Sequence, residues 1–341
     1  MEGEAIPVAE RVGFGGSLFF TTQFTNLSVS ETGVLVYGYE GSLGNRLVWM
    51  DRSGKPSPVP APPGIYSMPR LSPDGSKLAV AMHDMETGNE DIWQIDLVNG
   101  TTTRFTFDPA PDIFPLWSPD GKQIVFGTTR QGARGLYRKA ANGAGNEEPV
   151  TPRSVDTTAS YDWSRNGRYL AYMSLGGTTG PDLWVFDMEE RKAMPIAQTP
   201  FNESQGQFSP DGHWVAYSSD ETGHYEVYVR NLGGTPARFQ VSAGGGAQPR
   251  WRGDGKELYY VTPEGKMMAV TVKTGPGSFE RETPRKLFES RALVGSAGSG
   301  PQGYLYDVTR DGRRFLCVEL AEDGSTEPLT VVTNWQAGLK R

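Results

Sequence analysis

The run Leu71-Ser-Pro-Asp-Gly75, followed by Ser76, Lys77 and the apolar Leu78-Ala-Val80, decides how the rest of the chain is read. Proline presets the φ angle of a tight turn, the aspartate side chain bonds nearby backbone, and glycine takes the φ > 0 position that closes a hairpin. The run therefore predicts two strands joined by a turn. The pattern returns as Trp117-Ser-Pro-Asp-Gly121, Trp163-Ser-Arg-Asn-Gly167, Phe208-Ser-Pro-Asp-Gly212 and Trp251-Arg-Gly-Asp-Gly255, and in looser form as Val308-Thr-Arg-Asp-Gly312. Val29-Ser-Glu-Thr-Gly33, ahead of the apolar Val34 to Tyr37, is a weaker seventh copy. The anchor glycines stand 42, 46, 46, 45, 43 and 57 residues apart, an internal repeat with one structural unit per period.

Each unit holds more than its hairpin. A third strand is led by Trp49, Trp93, Tyr137, Trp184 or Tyr228, and Asp51, Asp96, Asp187 and Asn231 then open the next turn. A weaker fourth strand runs through segments such as 102–105 and 237–241. Four-stranded antiparallel units repeated radially make a β-propeller. The expectation is all-β with seven blades; six is the alternative, since the first anchor is weak and the longest spacing includes the Gly-Ser-rich residues 295–300. The last repeat has three strands (304–308, 314–319 and 329–334) and then stops. Residues 17–22 are therefore expected to close the ring as the outer strand of that blade, because an open propeller exposes an edge. The expected organisation is a flexible lead at 1–16, one propeller over 17–335 and a tail at 336–341.

Composition agrees with this reading. The 341 residues include 43 Gly and 25 Pro, which leaves almost no uninterrupted window for a helix of ordinary length. A net charge of −7 with the signs interspersed offers no basic stripe for phosphates, so no nucleic-acid partner is expected. No stretch has the roughly 18–20 apolar residues of a membrane span, and no membrane insertion by this segment is expected. Cys317 is the single cysteine, set in an apolar run that reads as a buried thiol.

The search for chemistry yields little. His83, His213 and His224 are dispersed and lack metal-ligand spacing, so neither metal nor cofactor is expected. No Gly-x-Ser-x-Gly elbow is present for a serine hydrolase, and the kinase motifs His-Arg-Asp, Asp-Phe-Gly and Val-Ala-Ile-Lys are missing. The anchors Asp74, Gly75, Asp120, Gly121, Asn166, Gly167, Asp211, Gly212, Asp254, Gly255, Asp311 and Gly312 read as structural turns, because one per unit is symmetry rather than a catalytic constellation. No catalytic residue is assigned, and the chain reads as a non-enzyme. In propellers the segments leading into the innermost strands surround a channel mouth, a concave site. Here they carry Tyr66, Met68, Arg70, Asp112, Phe114, Tyr161, Asp162, Asn202, Gln205, Gln248 and Arg250, a ring suited to a peptide, glycan or protein ligand, with blade-to-blade packing as the competing role for each residue.

The anchors resemble the repeat of TolB-type propellers, also called PD40 or WD40-like repeats, over residues 17–335. The runs Asn202-Glu-Ser-Gln-Gly-Gln-Phe-Ser-Pro-Asp-Gly212, Ser219-Asp-Glu-Thr-Gly-His-Tyr-Glu-Val-Tyr-Val-Arg230, Gln248-Pro-Arg-Trp251 and Thr330-Val-Val-Thr-Asn-Trp335 further resemble C-terminal propellers of acidobacterial transmembrane serine/threonine kinases. That resemblance implies an extracytoplasmic sensor region whose kinase lies elsewhere. The alternatives are a free periplasmic scaffold of TolB type and, third, a propeller enzyme such as a lyase or glycosidase; a cytoplasmic location stays open beside the extracytoplasmic one.

Overall fold

A computed structural model describes residues 45–290, except 85, 131–134, 153–158, 176–178 and 234–235, together with 293 and 303–320. Outside that body it describes 14–15, 24–25, 27–30, 34–37 and 330–333. The chain divides into two compact units, Asn45–Glu319 and a second formed by Met1–Gly44 with Leu320–Arg341.

The larger unit is a ring of six antiparallel blades. Blade 1 runs outward as Ile65–Leu71, Lys77–His83, Glu90–Asp96 and Thr102–Arg104. The innermost strands of blades 2 to 5 are Asp112–Trp117, Ala159–Trp163, Glu203–Phe208 and Ala247–Trp251. Blade 6 begins with Tyr306–Val308 and Arg314–Leu320 and is completed by Asn45–Asp51 and Pro56–Pro58. The apolar core lies between neighbouring blades. Leu116, Val125 and Leu136 of blade 2, for instance, pack with Leu170, Tyr172 and Phe186 of blade 3. Each interface removes large side chains from water on both sides, which is why a blade is stable only beside its neighbours.

The anchor turns are built alike. In blade 1 the Ser72 hydroxyl donates to Asp74 at 2.6 Å, the same carboxylate oxygen accepts from Ser76 N at 3.0 Å, and Ser72 Oγ accepts from Lys77 N at 2.9 Å. Ser118 with Asp120, Ser164 with Asn166, Ser209 with Asp211 and Thr309 with Asp311 repeat the hydroxyl bond. The closing glycine has φ between 69° and 77° in all six turns. A side chain is strained there, so glycine is required by the turn itself.

Two expectations change at the ring's seam. Six blades are present rather than seven, because the two halves of the first repeat go to different sheets. Its inner hairpin, Leu27–Val29 with Val34–Tyr37, pairs with Thr330–Thr333 in a three-stranded sheet of the smaller unit. Its third and fourth strands, Asn45–Asp51 and Pro56–Pro58, complete blade 6 and close the ring. Of the segment 329–334, read as a third strand of the last blade, the described part, Thr330–Thr333, thus pairs with Val34–Tyr37 instead. Residues 17–22 and 295–300 lie outside the described residues. Part of the long last spacing is an extra hairpin of blade 5, Lys266–Gly275 with Ser278–Arg281, whose Phe279 packs on Trp214 and Phe239 of blade 4.

A charged latch secures the seam. Arg52, just past the closing strand, makes two hydrogen bonds to the Glu257 carboxylate of blade 5, at 2.8 and 3.0 Å, and one to Gly312 O at 3.0 Å. Arg252, Arg285 and the Tyr259 hydroxyl also donate to Glu257. Burial pushes the Glu257 carboxyl up, but the bonds from Arg52 and Tyr259 outweigh it and leave the group at about 2.

Candidate functional site

The innermost strands bend in a repeated way. Register shifts occur at Ser67/Arg70, Ile113/Leu116, Ser160/Asp162, Ser204/Gln207 and Ala247/Arg250, and Met68, Phe114, Gln205 and Gln248 have φ of 55–58°. Such a bulge re-aims the side chains that follow it. The residue two places before each anchor hydroxyl, or before Arg252 in blade 5, faces the channel. Around the ring these are Arg70, Leu116, Asp162, Gln207, Arg250 and Asp307, and all six line one cavity of about 790 Å³. Its rim is the anchor turns, including Pro73, Pro119, Pro210 and Thr309, together with Arg165 and Arg310.

Several ring residues also stitch the blades. Asp162 Oδ2 accepts from Phe208 N at 2.9 Å, Asp307 Oδ2 from Leu71 N at 2.8 Å, and Gln207 Oε1 from Trp251 N at 3.3 Å, each bond crossing to the next blade. Trp117 and Trp251 indole N–H groups donate to the backbone carbonyls of Arg70 and Gln207 at 3.0 and 3.1 Å. Burial pushes the Asp162 carboxyl up to about 7, against the pull of the Phe208 and Trp163 N–H groups. Burial also raises Asp307, with Arg250 acting in the other direction.

Of the residues expected at the channel, Arg70, Asp162 and Arg250 line this cavity. Tyr66 is buried between blades and donates to Pro62 O. Asp112 is fully buried under Arg130, which donates to both its oxygens at 2.9 Å; burial raises its carboxyl to about 6, with bonds from Thr128 and Arg130 opposing. Met68 Sδ accepts from Phe114 N, the Phe114 ring meets Tyr161 edge-on, and the Tyr161 hydroxyl donates to Met173. Asn202 is held by Asp220 at the end where the innermost strands begin. Gln205 Oε1 accepts from Gln248 N, and Gln248 Oε1 accepts from Leu305 N, joining blades 4, 5 and 6. These side chains are spent on blade packing and stitching. The cavity opens at the other end of the channel, at the anchor turns, and Leu116, Gln207 and Asp307 were missed. Their signal was a column of residues, two places ahead of Ser72, Ser118, Ser164, Ser209, Arg252 and Thr309.

Among the described residues no three His, Cys, Asp or Glu side chains cluster as a metal site; His224 pairs with Glu226 at 2.9 Å. No helix among them is long and apolar enough to cross a membrane.

Six antiparallel blades, five of four strands and one of five, glycine-closed anchor turns and a ring closed by Asn45–Asp51 define a propeller with a channel-mouth site. The chain belongs to the TolB beta propeller domain family, PD40, whose profile matches residues 46–161 and 144–300. An uncharacterized protein of Agrobacterium fabrum is 25% identical over 225 residues, 61% of this chain and 75% of that protein. The Tol-Pal system protein TolB of Francisella tularensis is 25% identical over 174 residues, 51% of this chain and 40% of that protein. The solved structure of a candidate TolB from Agrobacterium tumefaciens superposes with a TM-score of 0.63 at 16% identity, covering 82% of this chain and 99% of that one. At that identity the likeness is one of fold.

Proposed function

We propose that this chain is a non-catalytic, protein-docking propeller of TolB type that works outside the cytoplasm and receives a peptide segment of its partner in the cavity at the anchor turns. The observation that carries the reading is a cavity of about 790 Å³ to which every blade contributes the equivalent inner-strand residue. Its carboxylates are already engaged: Asp162 and Asp307 accept backbone N–H groups between blades, and Asp74 and Asp311 accept them within turns. Groups held as structural acceptors suit binding better than proton transfer. The Francisella relative, named a Tol-Pal system protein, supports a scaffold role.

A second reading, the sensor region of a receptor serine/threonine kinase, is favoured by the runs at 202–212, 219–230, 248–251 and 330–335. The same cavity would then take the stimulus. A photo-cross-linking residue placed at Pro119 or Pro210 on the rim, and at the exposed Val98 on an outer edge, tests docking in the native host. A discrete adduct from both rim positions and none from position 98 is expected. Equal adducts at all three, or none at the rim, would contradict the proposal.

A further inference from the structure

Two arginines in the cavity are under-paired. Arg70 is 7% exposed and Arg250 1% exposed, and their guanidinium carbons lie 4.9 and 3.5 Å from the centroid of the Tyr304 ring. Nη2 of Arg70 and Nε and Nη1 of Arg250 are buried without a hydrogen-bond partner in the protein. Arg250 Nη2 donates to Tyr306 O at 3.3 Å, and its Nε faces Asp307 at 3.4 Å as an ion pair without hydrogen-bond alignment. Arg70 has no ion pair among the described residues.

A guanidinium this buried is costly without an opposite charge. The Tyr304 ring offsets a part of that cost by cation–π attraction, and water could satisfy an N–H but would bring no charge. Over the whole lining, Arg70, Arg165, Arg250, Arg310 and Arg314 stand against Asp74, Asp162, Asp307 and Asp311, a surplus of one positive charge when all are ionised, inside a protein whose net charge is −7. One positive charge calls for a monoanion rather than a dianion, and the planar fork of arginine matches a carboxylate.

We infer that Arg70 and Arg250 together form a binding site for one carboxylate group, carried by the protein segment that enters the cavity. The inference rests on the docking reading for the identity of the carrier, while the site itself is testable without a partner. The carboxylate is either the segment's C-terminus or an aspartate or glutamate side chain, and the two are separable by probe.

The test titrates the ¹⁵N-labelled full chain and follows the arginine Nε–Hε signals together with tryptophan emission, since Trp117, Trp163 and Trp251 line the cavity. Probes are sodium acetate, acetyl-tetra-alanine with a free C-terminus, its C-terminal amide, an acetylated Ala-Asp-Ala-Ala amide, and inorganic phosphate, all against chloride at equal ionic strength. Acetate is expected to shift two arginine signals saturably, and Arg70→Gln to raise its Kd at least about tenfold, roughly 1.4 kcal/mol. Arg70→Lys should keep part of the binding, and circular dichroism should show both variants folded. Binding of the free acid assigns the C-terminus, and binding of the aspartyl amide assigns the side chain. Absence of a saturable acetate shift, equal binding by Arg70→Gln, or tighter binding of phosphate overturns the inference. Loss of acetate binding with rim cross-linking intact leaves docking standing; acetate binding without rim cross-links removes docking and keeps the site.

Discussion

Asp162→Asn is the substitution whose effect follows most directly from the structure. The carboxyl faces the channel, accepts the Phe208 N–H that ties blade 3 to blade 4, and is held by burial at about 7 against an ordinary 3.8. A carboxyl raised this way is easier to protonate in the folded chain than in the unfolded one. Its ionisation therefore costs stability as pH climbs from about 4 to about 7, and the loss is complete above that. The separation corresponds to about 4 kcal/mol at full ionisation. Asparagine keeps a carbonyl oxygen for the Phe208 N–H and carries no charge. Asp307, the nearby acid, and Arg165, the nearby base, are present in both proteins, so the difference between them isolates position 162. Urea unfolding of both proteins between pH 4 and pH 8.5 should find them near parity at pH 4. The variant should be more stable by on the order of 2–4 kcal/mol above pH 7.5. Parallel curves, or a variant that loses stability at high pH, would refute the assigned environment of Asp162.

The seam and the turns supply further tests. Arg52→Ala removes the latch arginine and should destabilise the ring by on the order of 2 kcal/mol, lowering Tm by about 4–6 °C. Glu257 titrates at about 2 when folded, so the latch contributes fully above pH ~5 and fades as pH falls towards 2; the Arg52→Ala deficit, read by thermal melts, should shrink over that range. Trp49→Ala empties a site in the closing strand that packs with Tyr66, Leu78 and Leu316, and should cost about 3–5 kcal/mol in denaturant titration, as expected only if Asn45–Asp51 belongs to blade 6. Gly75→Ala and Gly312→Ala impose alanine at nearly the same φ, 74° and 69°. The first meets open space and should cost about 1–2 kcal/mol, while the second also meets the Tyr259 hydroxyl and should cost clearly more.

The repeat was legible because its information is local. Ser72, Asp74 and Gly75 bond one another within five residues, so the same letters yield the same turn wherever they stand. Blade number was not legible in that way. Leu27–Val29 with Val34–Tyr37 is a hairpin by the same local rules, and only the partners chosen far along the chain, Thr330–Thr333 for it and Arg314–Leu320 for Asn45–Asp51, assign it outside the ring. Residue type picked out Arg70, Asp162 and Arg250 as channel residues. It could not foresee that the bulges at Gln205 and Gln248 turn those amides into braces between blades while Gln207 faces the cavity. Nor does sequence tell which end of a channel is the open one.

Hydrogen exchange of the complex with the partner recovered by rim cross-linking tests the docking site most directly. Amides in the turns 72–76, 118–122, 209–213 and 309–313 are predicted to slow on binding. Slowing confined to 61–64, 108–111 and 199–202, where the innermost strands begin, with those turns unchanged, would contradict it.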